Sequence, residues 1–193
     1  AFSTLQDKWI FTVGSDKTIL LWTWDKQKIL AMYSVDSAYS PIKEMRFNPQ
    51  DQYLFSFLGD RHLTLLEYKD GVLVKKEPSR KNQNPSGYTT HCYFVDKNNE
   101  TKIFVCSTDA YIYVFDKHCE YKTYIQLKYP EKYKESMEGA IINRMFEYNK
   151  KLIAGCRGGT LLIINSTPQN KECPLEVFKG FNIRDNTQES VGS

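Results

Sequence analysis

The chain holds only three histidines, His62, His91 and His118, in 193 residues. None has a second histidine or a carboxylate at a metal-ligand spacing such as His-x-x-x-His. His118 and Cys119 are adjacent, so in a strand they would point to opposite faces. The five cysteines (Cys92, Cys106, Cys119, Cys156, Cys173) are odd in number, widely spaced and never Cys-x-x-Cys. That pattern speaks against a disulfide framework and a close-pair zinc site. Cys92, Cys106 and Cys156 sit inside apolar, strand-like runs, where a free thiol behaves as a small hydrophobe and implies a reducing compartment. There is no Gly-x-Ser-x-Gly elbow. Gly155-Cys156-Arg157-Gly158-Gly159 lacks the Gly-Lys-Ser/Thr ending and the following helix of a phosphate loop, so it reads as turn glycines joining two strands. These absences lead to the expectation of no catalytic residue, no cofactor and no metal, and hence no enzyme.

No apolar run approaches the roughly 20 residues needed to cross a bilayer. The first residues carry no basic start followed by an apolar core, so no signal peptide is expected. The chain begins at Ala1 rather than Met, the expectation being a fragment or a processed product. A net charge of +3 is too small to imply a polyanionic partner by itself.

What the chain has in plenty is aromatic and β-forming residues, with 13 Tyr, 11 Phe and 3 Trp offering ample apolar area to offset chain entropy. Four stretches share one plan, a β-rich run, a tight polar turn and a second β-rich run ending in a large apolar residue. They are Trp9–Val13 with Thr18–Trp22, Tyr53–Phe57 with Leu63–Leu66, Lys102–Cys106 with Tyr111–Phe115, and Lys151–Ala154 with Thr160–Ile164. Superposing the turns places Asp16, Asp60, Asp109 and Gly158 in one column, giving repeat lengths of 44, 49 and 49 residues. Aspartate suits a tight turn because it bonds local backbone N–H groups, and glycine supplies positive φ.

Each hairpin has flanking β-rich runs, about four short strands per repeat with no sustained 3.6-residue period. An all-β sandwich would also use many strands but leaves the recurring turn column unexplained. Four strands in about 40–50 residues is the blade of a β-propeller. The expected organisation is a partial propeller over 1–181, with blades at about 1–35, 40–77, 88–128 and 139–180, then a polar linker or frayed tail over 182–193. The first repeat leaves only Phe2 to Leu5 for its innermost strand. The four blades are therefore expected to be an arc of a larger, seven- or eight-bladed ring, packed against the remaining blades of the same propeller. Alone, such an arc would expose two apolar faces.

Gly14-Ser15-Asp16-Lys17-Thr18-Ile19-Leu20-Leu21-Trp22 resembles the strand–turn–strand signature of the WD-repeat family, and Phe115-Asp116 stands where that family has Trp-Asp. The other repeats have Leu66-Glu67 and Ile164-Asn165 there, and none carries a clear Gly-His pair, so the family's Ser–His–Asp–Trp hydrogen-bond network is not expected intact. A narrower likeness runs through Met45–Pro49, Leu65–Leu73, Thr90–Phe94 and Tyr111–Phe115. These stretches are similar to ciliary, cilia- and flagella-associated WD-repeat proteins that carry propellers before a coiled coil. The resemblance implies a non-catalytic scaffold in the cytoplasm, on doublet microtubules of the ciliary axoneme near inner dynein arms. It also implies protein partners, with tubulin and dynein subunits among them.

Binding on such a scaffold is expected in long connecting loops. The segment after the second blade is the most basic, with Lys75, Lys76, Arg80 and Lys81. The equivalent connection one blade on carries Lys132 and Lys134. These six are the candidate partner contacts, while Asp16, Asp60, Asp109 and Gly158 are read as structural turn residues. Nucleic acid is an unlikely partner, since the aromatics alternate within strands as core residues do and Glu77, Glu131, Glu135 and Glu138 dilute the charge. The alternative reading is a propeller that binds a peptide or RNA ligand in a cytoplasmic complex. No membrane association is expected.

Overall fold

The computed structural model describes residues 8–36, 41–76, 86–96, 98–127, 140–166 and 175–182. They form fifteen strands in four antiparallel sheets, each a meander in chain order. The first sheet holds β1 (Trp9–Val13), β2 (Thr18–Thr23) and β3 (Lys28–Ser34). The second holds β4 (Glu44–Phe47), β5 (Leu54–Leu58), β6 (Leu63–Lys69) and β7 (Val72–Lys76). The third is β8 (Tyr88–Val95), β9 (Thr101–Ser107), β10 (Tyr111–Asp116) and β11 (Tyr121–Gln126). The fourth is β12 (Ile142–Tyr148), β13 (Lys151–Cys156), β14 (Thr160–Ser166) and β15 (Leu175–Asn182). The innermost strand expected over Phe2 to Leu5, and the tail over 182–193 beyond Asn182, lie outside the described residues.

Side chains alternate across the strands, and in the central sheets both faces are covered. In β5, Phe55 and Phe57 pack toward the first sheet while Leu54 and Leu58 pack toward the third. In β9, Ile103 and Val105 face the second sheet and Phe104 and Cys106 face the fourth. Three separate buried clusters result, one in each gap between successive sheets, so the sheets stack side by side as blades. The first gap is filled by rings: Phe11 stands 4.2 Å from Phe55 edge-on and 4.8 Å from Phe47. Among the described residues, large apolar side chains remain exposed on the outer faces of the stack. Met32 and Ile29 are 64% and 45% exposed on blade 1, and Phe178 and Phe146 are 56% and 47% exposed on blade 4.

The hairpins at the head of each blade explain the turn column. The register pairs Val13 with Ile19, Cys106 with Ile112 and Gly155 with Leu161, so Asp16, Asp109 and Gly158 each stand at the centre of a loop. The last loop residue takes positive φ in all three: Lys17 at 61°, Ala110 at 63° and Gly159 at 87°. This is the three-residue hairpin loop that ends in a left-handed residue. Blade 2 pairs Leu58 with Leu63, one residue tighter. There the Gly59 N–H bonds the His62 carbonyl at 2.9 Å, and a Cβ on Gly59 would fall 2.0 Å from the His62 ring. Ala110 holds the strained conformation without being glycine, so Ala110→Gly is expected to stabilise the chain by about 0.5–1 kcal/mol. Denaturant melts of the two forms measure it, and a loss of stability would contradict this account of the loop.

Candidate interaction site

The first strands of blades 2, 3 and 4 lie beside one another, and a buried polar network joins them. Glu44 on β4 is its hub. One carboxylate oxygen of Glu44, Oε2, accepts the His91 backbone N–H at 2.8 Å, the Thr90 hydroxyl at 2.8 Å and His91 Nδ1 at 3.0 Å. Its other oxygen, Oε1, accepts Arg46 Nη2 at 2.8 Å. The same Nη2 reaches the Met145 carbonyl on β12 at 2.7 Å, and Thr89 donates to the Ile142 carbonyl at 2.5 Å. His91 is fully buried, and its Nε2 lies 2.7 Å from Ser56 Oγ on β5. A carboxylate only accepts, so Nδ1 carries the proton and Nε2 accepts from Ser56. Burial drives the His91 pKa down, against the pull of Glu44, and so favours the neutral ring. Burial alone would raise the Glu44 carboxyl, but the His91 hydrogen bond and the Arg46 charge overcome it and hold it below the ordinary value.

Carboxylate, imidazole and serine hydroxyl in this order have the connectivity of a hydrolytic triad. Ser56, however, is 1% exposed, inside the contact between blades 2 and 3. A nucleophile there meets no substrate, and what the network does physically is clamp three blades together. Among the described residues no group of three or more His, Cys, Asp or Glu is placed to hold a metal ion. Cys92, Cys106, Cys119 and Cys156 are buried and unbridged. Burial raises the Cys92 thiol to about 12 and the Cys156 thiol to about 11, which keeps both protonated.

The four turn residues do different things. Asp16 accepts the Thr18 N–H at 3.1 Å, and Gly158 supplies a φ of 92°. Asp109 accepts the Ser107 hydroxyl. Asp60 instead pairs with Lys43 Nζ at 2.5 Å, and that ammonium also bonds the Tyr88 carbonyl at 2.7 Å, tying blade 2 to blade 3. Of the Ser–His–Asp–Trp network that the resemblance implies, blade 1 keeps a Trp22 N–H donated to Thr12 Oγ1 at 2.9 Å, with no histidine in the blade.

Of the six cations singled out in the sequence, Arg80, Lys81, Lys132 and Lys134 lie outside the described residues. Lys75 and Lys76 end β7, opposite Leu66 and Leu65, and Lys76 Nζ pairs with Glu67 at 2.8 Å. Lys76 also lines a cleft of about 360 Å³ between blades 2 and 3, together with Asn48, Gln50, Leu54, Lys117 and His118. Gln50 ties the two blades at the rim, since its amide donates to Asn99 Oδ1 at 2.8 Å and its carbonyl accepts the Thr101 hydroxyl. Sequence reasoning treated His118 only as a possible metal or catalytic residue and did not single out Lys117, Asn48 or Gln50. They come from turns about 70 residues apart (48 to 118), and no local pattern links them.

Aligned on a solved structure, the Cps50 (Swd1) β-propeller domain of Myceliophteria thermophila, the chain gives a TM-score of 0.69 with 94% of its length covered. The chain is a four-bladed arc of a β-propeller. It covers 56% of that solved chain at 12% identity, so the likeness speaks to fold alone. A curated mouse (Mus musculus) relative, Cilia- and flagella-associated protein 57, is 26% identical over 118 residues, 60% of this propeller. The propeller spans 9% of that relative's length. No protein-family model matches the chain. The solved structure agrees with the propeller fold expected from the turn column, and the mouse relative with the resemblance to cilia- and flagella-associated proteins.

Proposed function

We propose that this propeller is a non-catalytic interaction platform of the ciliary axoneme, part of a scaffold on doublet microtubules near inner dynein arms. The observation that carries the reading is the similarity to a cilia- and flagella-associated protein, on a fold whose triad-like Glu44–His91–Ser56 constellation is sealed between blades. A clamped stack of sheets is a rigid frame, and rigid frames present loops to partners without an ordering cost. The uncovered apolar faces of blades 1 and 4 are read as seats for further blades of the same ring. Support comes from the solved propeller, which continues well beyond the part this arc matches.

The experiment is extraction of axonemes from ciliated cells expressing the tagged protein. Retention on detergent-washed doublets and release only at high salt is the expected result. A diffuse cytosolic signal with none on axonemes would overturn the assignment and leave the cytoplasmic peptide- or RNA-binding alternative.

A further inference from the structure

We propose that the cleft between blades 2 and 3 is a socket for a glutamate side chain in an acidic segment of a partner protein. The proposal deepens the interaction-platform reading and rests on it. The cleft's chemistry sorts by depth. Leu54 and Leu65 are buried and offer an apolar floor for a methylene stem, whereas the lining Lys76, Lys117 and His118 are exposed to solvent, where a charged head stays hydrated. Among the described lining residues one acid, Asp51, is present, and its carboxylate already accepts the Tyr53 N–H at 2.9 Å. Lys76 is shared with Glu67. Lys117 makes no ion pair among the described residues, so its charge is uncommitted.

The socket is formed before any ligand arrives. Gln50 bridges to Asn99 and Thr101 across the two blades. The turn bearing Lys117 and His118 is fixed by Asp116, which accepts the His118 N–H at 2.9 Å, and by Cys119 at a φ of 65°. Preorganisation of this kind lowers the cost of binding. The same lining argues against other anions. Among the described lining residues there is no arginine to grip a phosphate bidentately and no Phe, Tyr or Trp to stack a nucleic-acid base. Lysines act as point charges, and a volume of about 360 Å³ admits a whole side chain rather than a lone ion.

The test is fluorescence anisotropy with a fluorescein-labelled hexaglutamate peptide, against a hexaglutamine peptide, a phosphoserine peptide and a single-stranded RNA oligomer of matched length. Lys117→Glu is expected to weaken hexaglutamate binding roughly tenfold and His118→Ala roughly threefold. Lys28→Glu, remote on blade 1, should change it less than twofold. No hexaglutamate binding, an equal loss in Lys28→Glu, or tighter binding of the phosphoserine peptide or the RNA would each overturn the proposal. Those failures leave axoneme retention untouched, whereas loss of retention with hexaglutamate binding intact would sink the ciliary reading alone.

Discussion

Glu44→Ala is expected to destabilise the chain by about 3 kcal/mol, since the carboxylate is only partly exposed and its loss leaves the fully buried His91 and Thr90 donors without their acceptor. The loss is large because one carboxylate satisfies the His91 backbone and ring, the Thr90 hydroxyl and the Arg46 guanidinium at once. Truncation leaves the His91 backbone N–H, the His91 Nδ1–H and the Thr90 hydroxyl without that acceptor, while Arg46 keeps only the Met145 carbonyl. Glu44→Gln should recover part of the loss, since its amide oxygen still accepts. Urea titrations of the three forms measure the effect, and a change under 1 kcal/mol for Glu44→Ala would show that the network is not a clamp.

The same network gives the chain an acid limb. The folded-state pKa of His91 is lowered from 6.5, so the unfolded chain binds the extra proton first. Its contribution is whole above about pH 6.5 and is lost as the pH falls from there toward the folded value. Glu44 is lowered from 4.5, and its contribution, whole above that value, is lost at still lower pH. The two add in sign. Stability should therefore begin to fall just below pH 6.5 and steepen below 4.5, and His91→Gln should remove the upper part of that slope.

Phe55→Ala is expected to cost about 3–5 kcal/mol, the range for deleting a fully buried aromatic ring. Phe55 is 0% exposed and packs against Phe11 of blade 1 and Phe47 of its own blade, with ring centroids 4.2 and 5.7 Å away. Its removal opens a cavity in the gap that holds blade 1 in place. Phe11→Ala removes the facing ring, so the double variant should lose less than the sum of the two single losses. Strict additivity, measured by denaturation of all four forms, would place the rings in separate cores and contradict the stacking of blades 1 and 2.

The blades were legible because their information is local. Val13 and Ile19, or Cys106 and Ile112, are six residues apart, and a hairpin that short writes its turn and its alternation into one window of sequence. The turn column was legible for the same reason, although it concealed the tighter loop of blade 2, where Asp60 turns outward to Lys43. The clamp was not legible. Glu44 and His91 are 47 residues apart, on strands that read as ordinary β-formers, and only radial stacking brings them together. His91 alone gave no sign of a partner because the partner is in another blade. The cleft was hidden for the same reason: Lys76 was noticed for its neighbours in sequence, whereas Lys117 and His118 become its neighbours only after folding.

The measurement that reaches the central claim most directly is a double-mutant cycle between Glu44 and His91, using Glu44→Ala, His91→Ala and the double variant. Blades stacked with their first strands side by side predict a coupling of at least about 1.5 kcal/mol across the gap. A coupling indistinguishable from zero would mean that the two residues do not meet, and with them the stacking of blades 2 and 3 would fall.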